Sequence, residues 1–445
     1  MVVLPKIALD SLAQNRLRLR ESLIELCQPI EEVPIVEWIE KNLRFGRGDR
    51  GVHLESRTGP FTYADSPWWK FIMECAADRK CESIAIPAAT QTHKTSNLIL
   101  AVALFFAEFR PAPGMIVVPD ELEAKKIRDR IYAVVQESRK FVEFKRIKIP
   151  PEHKWNLQEI DLGSMLIHLA WAGSRQRTRG KPCYYVWFTE VDVYRNADPK
   201  AGDPVEAGKQ RTKDVFRFKH FFESSPSEAP SAICDEETLA DDRWRWYITC
   251  PHCGRKQEAR FFTYKKGNWA GKGGIELMVK AAGGDGSSLM TPKQAREHAH
   301  YVCVNGCKIA NDQKQQVIES GNWYPKGWKD GDAEPQRLPS RRVGFHLWAV
   351  HSPNETFGVT AEDYLRHLKK GRKVDFYGNR LAIAYESESR IPSWIDLGKR
   401  AAGTHVRRTV PDQVWFLTAG IDKQGENNGS RYVIRGWAPG RTSWL

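Results

Sequence analysis

The sequence lacks the features that mark membrane-bound and secreted proteins. Its 445 residues contain no run of 18 apolar residues, and the most apolar stretch, residues 97–109, is followed by Arg110 and Pro111. The first residues include Lys6 and Asp10, where a signal peptide needs an unbroken apolar core. Internal repeats are also absent. We therefore expect a soluble, intracellular protein without a membrane partner.

Acidic residues are outnumbered by basic ones. The chain has 68 Lys and Arg against 55 Asp and Glu, which gives a formal net charge of +13. Hydrophobic residues make up 41% and aromatic residues 11%, enough to exclude a wholly disordered chain. The length allows two or three domains. The positive excess indicates a polyanionic partner.

Cysteines are few, but four of the nine form two close pairs. In a reducing compartment, close pairs indicate metal binding more than disulfide bonding. The spacings within Cys250/Cys253 and Cys303/Cys307 are typical of zinc ligands, and His252 is interpreted as a turn residue. We therefore predict a structural Zn²⁺ held by four thiolates, with no open position for chemistry. The other cysteines are interpreted as ordinary thiols: Cys27, Cys75, Cys81, Cys183 and Cys234.

Short apolar runs alternate with helical patterns between residues 65 and 245. Runs at 84–87, 114–119, 165–171 and 183–188 are interpreted as buried strands, and 96–109 and 121–137 as helices. This alternation predicts an α/β domain with a parallel sheet. Further elements are predicted as follows: helices at 35–41, 67–78 and 361–370, and strands at 343–350, 414–422 and 431–437.

A phosphate-loop candidate lies between the first predicted strand and its helix. In such a loop, backbone N–H groups and the helix N-terminus attract phosphates, a lysine reaches the terminal phosphate, and a hydroxyl binds Mg²⁺. Lys94 and Thr95 fit the last two roles, whereas His93 stands where the pattern requires glycine. An ordinary strand–loop–helix turn is the alternative. The candidate phosphate-binding residues are Gln91, Thr92, His93, Lys94, Thr95 and Ser96.

Carboxylates follow the buried run at 183–188. A nucleotide hydrolase uses one carboxylate to hold Mg²⁺ through water and another to polarise the attacking water. Glu190, expected at the end of a strand adjacent to the loop strand, is placed for the second role. Thr189 occupies the position of the metal-side acid, which leaves Asp192 or the Thr189 hydroxyl as substitutes. In the alternative interpretation, Glu190 and Asp192 only end a strand.

A basic cluster precedes the same run, at Arg175, Arg177, Arg179 and Lys181. An arginine here could stabilise the charge of phosphoryl transfer or bind a DNA phosphate. Arg179 is our candidate, with its role left open. A solvated loop is the alternative, since charge runs are often solvated.

In their order and spacing these motifs resemble those of the large terminase subunits of tailed bacteriophages, the lambda-like GpA group. The resemblance covers about residues 35–445. It implies a P-loop NTPase-type parallel sheet with an inserted zinc-ribbon module and the start of an RNase H-like nuclease domain. The implied function is an ATP-driven packaging motor for double-stranded viral DNA that uses ATP, Mg²⁺ and Zn²⁺. The motifs lie at 87–96, 173–181, 188–192, 223–226, the two cysteine pairs, 343–347 and 419–424.

The resemblance also implies partners and residue roles. The partners would be double-stranded DNA, a small terminase subunit, a portal protein and further copies of the chain on the capsid, in the host cytoplasm. The implied roles are phosphate and Mg²⁺ binding at Lys94 and Thr95, catalysis at Glu190, coupling of hydrolysis to DNA movement at Ser224, Ser225 and Pro226, and nuclease metal binding at Asp422.

The implied organisation has five parts. They are an N-terminal region (1–64), the ATPase core (65–247), the zinc-ribbon insertion (248–310), the remaining ATPase region and linker (311–409), and an incomplete nuclease domain (410–445). Because only Asp422 is assigned to a nuclease site that needs several carboxylates, we expect no competent nuclease from this chain alone. Two alternatives stay open: a catalytically impaired DNA-binding or assembly protein, and a helicase-like DNA-dependent ATPase.

Overall fold

The computed structural model of the chain divides into two compact units, Met1–Glu386 and Ser387–Leu445. Each unit is described by itself. Among the described residues, no helix is both long enough and apolar enough to cross a membrane. The described residues are 31–46, 58–148, 158–174, 180–196, 202–262, 271–280, 287–336, 340–386, 409–423, 430–439 and 442–444.

Ten strands of the first unit form one sheet, in the order β8-β7-β10-β1-β6-β5-β2-β4-β3, and β9 also pairs with β7. The seven strands from β7 to β4 are parallel, whereas β8, β9 and β3 are antiparallel additions at the edges. The parallel α/β sheet predicted from the sequence is therefore confirmed. In chain order the strands are β1 (Ser83–Pro87), β2 (Gly114–Val118), β3 (Glu159–Asp161), β4 (Leu166–Trp171), β5 (Tyr185–Thr189), β6 (Lys219–Ser224), β7 (Asp242–Thr249), β8 (Lys256–Glu258), β9 (Asn322–Pro325) and β10 (Arg342–Phe345).

Helices and small hairpins surround this sheet. The α-helices are α1 (Ile35–Asn42), α2 (Trp68–Ala77), α3 (Val102–Phe109), α4 (Glu121–Ser138), α5 (Pro204–Lys209), α6 (Ala232–Thr238), α7 (Pro292–His298), α8 (Lys314–Glu319), α9 (Phe357–Lys369) and α10 (Lys373–Phe376). Two π-helical segments are Thr95–Ala101, which continues into α3, and Tyr377–Leu381; the 3₁₀ segments are Val191–Asn196, Gln210–Thr212 and Ala349–His351. The short strands are Arg44–Phe45, Gly59–Pro60, Gly274–Ile275, Met278–Lys280, Ser287–Leu289, Tyr301–Val302 and Lys308–Ile309.

Both faces of the sheet are covered by other parts of the chain. Successive residues of a strand point to opposite faces, so each strand contributes side chains to both cores. On one face, Trp187 of β5 and Phe221 of β6 belong to a large core that includes residues of α2, α3 and α4. On the other face, Phe188 and Phe222 form a smaller core with residues of α5 and α6. Coverage on both faces explains why the strands read as continuous apolar runs rather than alternating ones.

The sheet order corrects one expectation about the site. The strand that ends before Glu190 is β5, and it is not adjacent to β1, because β6 lies between them. The register aligns Pro87 with Ser224 and Thr189 with Glu223. Since the strands are parallel, their carboxyl ends lie at one edge, where open α/β sheets bind ligands.

One predicted strand boundary falls differently in the structure. The predicted strand at 343–350 is too long: β10 ends at Phe345 and a 3₁₀ turn follows at Ala349–His351. The apolar pattern continues because Leu347, Trp348 and Val350 are buried in the core outside the sheet.

The second unit contains a three-stranded antiparallel sheet. Its strands are Phe416–Lys423, Ser430–Ala438 and Thr442–Trp444, and Asp422 lies opposite Arg431 in the register. The strand patterns predicted at 414–422 and 431–437 are therefore confirmed.

Trp187 links the sheet to the helix that follows the loop after β1. It is fully buried, stacks on Phe221 at 5.4 Å between ring centroids, and donates from Nε1 to the Leu98 carbonyl at 3.0 Å. We predict that Trp187→Phe lowers the free energy of unfolding by about 2–4 kcal/mol, because it removes a buried hydrogen bond and opens a cavity.

Urea unfolding followed by circular dichroism measures this effect. Phe216→Leu is the control, since Phe216 is 82% exposed and its replacement should change stability by less than about 0.5 kcal/mol. Equal stabilities of Trp187→Phe and the control would contradict the prediction.

Candidate nucleotide-binding site and cysteine cluster

The loop after β1 is held on three sides by hydrogen bonds. The Ala88 N–H donates to Ser224 O on β6 at 2.9 Å, and the Ala89 N–H donates to Leu347 O at 2.7 Å. Trp69 Nε1 of α2 donates to Thr92 O at 3.0 Å. The loop therefore has a defined path at the carboxyl edge of the sheet, before the helix begins.

Two residues of this loop have left-handed backbone conformations. Gln91 has φ 62° and His93 has φ 61°, although neither is glycine. Such angles are strained for most side chains, and strained residues cluster at functional sites. The His93 carbonyl accepts the Asn97 N–H at 3.1 Å, so the helix begins directly from the strained residue. The structure thus explains why the phosphate-loop pattern has glycine at position 93.

Lys94 lies where the loop enters the helix, and its ammonium is buried between two carboxylates. Nζ is 2.6 Å from Glu190 Oε1 and 2.9 Å from Glu223 Oε2, and Ser225 Oγ lies at 3.4 Å. The Lys94 side chain is 9% exposed. Burial alone would lower the pKa of this ammonium, but the charges of Glu223 and Glu190 outweigh burial and raise the pKa above its ordinary value. Lys94 is therefore held in its charged form.

Glu190 follows β5 and faces the loop strand across β6. Its φ is 54°, a third left-handed residue at this site. The Ser224 hydroxyl and the Ser225 N–H donate to its Oε2 at 3.5 and 3.4 Å. The structure thus brings together Lys94, Glu190 and the first two residues of the predicted coupling motif. The Glu190 side chain is 35% exposed, so solvent reaches it.

Glu223 is a site residue that the sequence analysis missed. It lies on β6, is 1% exposed, and accepts a hydrogen bond from the Thr189 hydroxyl. Burial and the nearby Glu190 charge raise the pKa of Glu223, against the opposing effect of Lys94. The sequence signal that could have identified Glu223 is an acidic residue placed directly after the apolar pair Phe221 and Phe222.

Asp192 accepts hydrogen bonds from the chain that follows β6 and from the start of α6. Its Oδ2 accepts from the N–H of Ser227 at 2.7 Å and from the Ser227 hydroxyl at 3.0 Å. Its Oδ1 accepts from the Ile233 N–H at 3.0 Å, in the first turn of α6. Asp192 therefore fixes the chain that follows Pro226.

The remaining candidates are placed as follows. Thr95 is the first residue of the π-helical segment and is half-buried, whereas the buried Ser96 hydroxyl accepts from Arg130 Nη2 at 3.1 Å. Arg179 lies outside the described residues, and of Asp422 only the backbone is described. Lys181, at the end of the basic cluster, donates to Glu159 Oε1 at 2.9 Å.

The four predicted cysteine ligands converge in space. Their sulfur atoms all lie within 4.8 Å of one another, and Cys253 Sγ is 3.9 Å from Cys303 Sγ. Four thiolates around a zinc ion at 2.3 Å would be about 3.8 Å apart, so the set fits Zn²⁺. The Cys307 N–H donates to Cys303 Sγ at 3.3 Å, as is expected around metal-bound thiolates.

The cysteine cluster is continuous with the central sheet. Cys250 and Cys253 lie in the turn that joins β7 to β8, while Cys303 and Cys307 lie between the short strands Tyr301–Val302 and Lys308–Ile309. A bound ion would therefore tie the antiparallel edge of the sheet to the segment that ends with the second cysteine pair.

The strain at His93 gives a prediction. His93→Gly should be at least as stable as the parent, and His93→Ala less stable than His93→Gly by about 1 kcal/mol, because only glycine adopts φ 61° without cost. Thermal unfolding measures the order. At Lys125, an exposed residue of helix α4, the glycine and alanine variants should show the opposite order of stability, with the alanine variant more stable. The same order at both positions would be the contrary result.

Zinc content tests the cysteine cluster. We predict one equivalent of zinc per chain, lost in Cys303→Ser together with a lower midpoint of thermal unfolding, because a structural ion contributes directly to folding. Cys234→Ser, outside the cluster, should keep the zinc. Metal analysis by mass spectrometry decides; a parent purified without zinc that binds none on titration would refute the site.

Comparisons with known proteins point to one family. The family described as "Phage terminase large subunit gpA, ATPase domain" matches residues 55–323, and "Terminase large subunit gpA, endonuclease domain" matches residues 342–445. The large terminase subunit of Escherichia phage lambda is 23% identical, covering 97% of this chain and 65% of the relative. That of Enterobacteria phage P21 is 24% identical, covering 95% of this chain and 63% of the relative. The chain thus spans less than two thirds of the length of both relatives.

Solved structures of terminases are similar only at a low level. The ATPase domain of the Thermus phage P74-26 large terminase has a TM-score of 0.35 and 11% identity, covering 68% of this chain and 89% of that one. The HK97 bacteriophage large terminase has a TM-score of 0.33 and 13% identity, covering 46% of this chain and 39% of that one. The assignment therefore depends on the sequence families. Since the ATPase-domain family matches more than half of the chain, and includes Lys94, Glu190 and Glu223, this chain belongs to the phage terminase large subunit gpA family.

Proposed function

We propose that the chain is the ATPase motor subunit of a terminase that moves double-stranded viral DNA. The observation that carries the proposal is the buried Lys94 ammonium, which joins a loop at the carboxyl edge of the sheet to Glu190. A lysine, a helix start and a carboxylate in this arrangement are the elements of phosphoryl transfer from ATP. The family assignment supports the same activity.

The residues have separable roles in hydrolysis. ATP phosphates would lie over the loop backbone, with Lys94 turning from the carboxylates to phosphate oxygens and Thr95 offering its hydroxyl to Mg²⁺. Mg²⁺, when bound, would neutralise charge that develops on the phosphates. Released from Lys94, Glu190 can accept a proton from the attacking water, to which its exposed side chain gives access.

The predicted coupling motif, residues 224–226, is placed to respond when Glu190 is released from Lys94. Ser224 and Ser225 contact Glu190, and Ser225 Oγ also donates to Ala88 O at 3.0 Å, at the start of the loop. A Cβ added at Gly378 would lie 2.0 Å from the Pro226 carbonyl oxygen. The end of the coupling motif is therefore closely packed against the π-helical segment Tyr377–Leu381. A shift of Glu190 would therefore move the chain after β6, as coupling to DNA movement requires.

The other parts of the proposal follow the family. We infer that the cysteine cluster holds a structural Zn²⁺, that the second unit begins a nuclease domain of RNase H-like type with Asp422 as a metal ligand, and that the five sequence-defined parts given above are its domains. The net charge of +13 is suited to DNA. Arg179 as a phosphate or DNA contact, and a small subunit, a portal protein and further copies of the chain as partners, belong to the same proposal.

Two alternatives use the same site. A helicase-like ATPase would need the same Lys94 and Glu190, and a catalytically impaired assembly protein is favoured by His93 and Thr189, which depart from the usual pattern. Strand separation on a forked duplex distinguishes a helicase from a motor. The absence of any ATP turnover would favour the impaired protein.

Steady-state ATP hydrolysis, with and without duplex DNA, tests the proposal. We expect DNA-stimulated turnover in the parent and none in Lys94→Ala. Glu190→Gln should bind ATP but lower kcat at least ~100-fold, the range of a lost general base. Lys126→Ala is the matched control, because Lys126 is exposed on α4 and its ion pair joins it to Glu123, one turn earlier on the same helix. Turnover that persists in Lys94→Ala would refute the site.

A further inference from the structure

The site lacks an acid at one position where ATP hydrolysis requires it. Thr189 ends β5 directly before Glu190, where a metal-side carboxylate is expected, and Asp192 is occupied by Ser227 and Ile233. A neutral hydroxyl is a weak ligand for Mg²⁺ or for its bound water compared with a carboxylate. An acid from elsewhere is therefore needed.

The strand register brings such an acid to this position. Thr189 of β5 and Glu223 of β6 are direct partners across the parallel pair. The Thr189 hydroxyl donates to Glu223 Oε1, and the two residues are 4% and 1% exposed. Compared with a metal-side acid at the end of β5, the Glu223 carboxylate lies one strand away, on β6, but at the same level of the sheet. The Thr189 hydroxyl orients it.

The charges of the site favour a cation beside Glu223. Among the described residues of the site, the Glu190 and Glu223 carboxylates share the Lys94 ammonium, so these three side chains together carry a net charge of −1. When Lys94 turns to the ATP phosphates, the buried Glu223 keeps the hydrogen bond from Thr189 but loses the ammonium that balances its charge. An unpaired buried carboxylate is costly, and a divalent cation would remove that cost.

Exposure separates the two acids. The Glu190 side chain is 35% exposed and open to the attacking water, whereas the Glu223 side chain is 1% exposed and lies deeper, between Lys94 and Thr189. We propose that Glu223 is the carboxylate that holds the Mg²⁺ of the nucleotide through its bound water, and that Thr189 is its positioning residue. This inference rests on the proposed ATPase function and assigns the metal half of that site.

Nucleotide binding with and without Mg²⁺ tests the assignment. The probe is a fluorescent ADP analogue, titrated in EDTA and in Mg²⁺, so the readout does not depend on turnover. The parent should bind more tightly in Mg²⁺. Glu223→Gln should lose at least ~10-fold of this enhancement while its affinity in EDTA stays within about threefold, because the amide is isosteric and uncharged. Glu190→Gln should keep the enhancement.

The register offers a rescue experiment. Thr189→Asp combined with Glu223→Gln returns the carboxylate to β5 at the same level and should restore most of the Mg²⁺ enhancement. Thr189→Val should reduce it, since it removes only the orienting hydroxyl. If Glu223→Gln does not fold, Glu223→Asp, one methylene shorter, provides the test: nucleotide-dependent Mn²⁺ binding, measured by electron paramagnetic resonance, should weaken.

The outcomes separate this inference from the function on which it rests. Full Mg²⁺ enhancement in Glu223→Gln, or unchanged Mn²⁺ binding in Glu223→Asp, would show that Glu223 only holds Lys94, and would overturn the inference while leaving the ATPase intact. A parent that binds no nucleotide in either buffer would overturn both.

Discussion

The buried ammonium of Lys94 lies between carboxylates from two different strands, and the arrangement of the site depends on this contact. A charge with so little exposure is tolerated only when opposite charges and hydrogen bonds surround it. Those charges come from Glu190 after β5 and Glu223 on β6, while Lys94 itself follows β1. The three strand ends must therefore stay together, which the parallel sheet achieves by placing β6 between the other two.

Backbone strain is concentrated around the same contact. Gln91, His93 and Glu190 all have positive φ without being glycine, and the packed sheet below them keeps these conformations in place. The loop is further held by the Ala88, Ala89 and Thr92 hydrogen bonds to β6, to residue 347 and to α2. The shape of the loop is thus fixed by the fold around it.

The cysteine cluster and the nucleotide site differ in how far local sequence could predict them. Close thiol pairs carry their own geometry, so Cys250, Cys253, Cys303 and Cys307 were named from spacing alone and converge in the structure. The candidate nucleotide site depends on strand order, which no local pattern encodes. For that reason Lys94 and Glu190 were found as separate motifs, whereas Glu223 was missed, and the hydrogen bonds of Asp192 to Ser227 and Ile233 could not be anticipated.

The sequence by itself determined the elements: the buried strands, the helix after the loop, the glycine-like position of His93 and the two close cysteine pairs. These follow from apolar periodicity and from residue chemistry at short range. Only the tertiary structure decided that β6 lies between β1 and β5, that Thr189 faces Glu223, and that one lysine serves two acids. The physical reason is that pairing between parallel strands joins residues distant in sequence, here 34 positions apart, and that the electrostatic balance of a buried charge depends on all the groups that the fold brings around it.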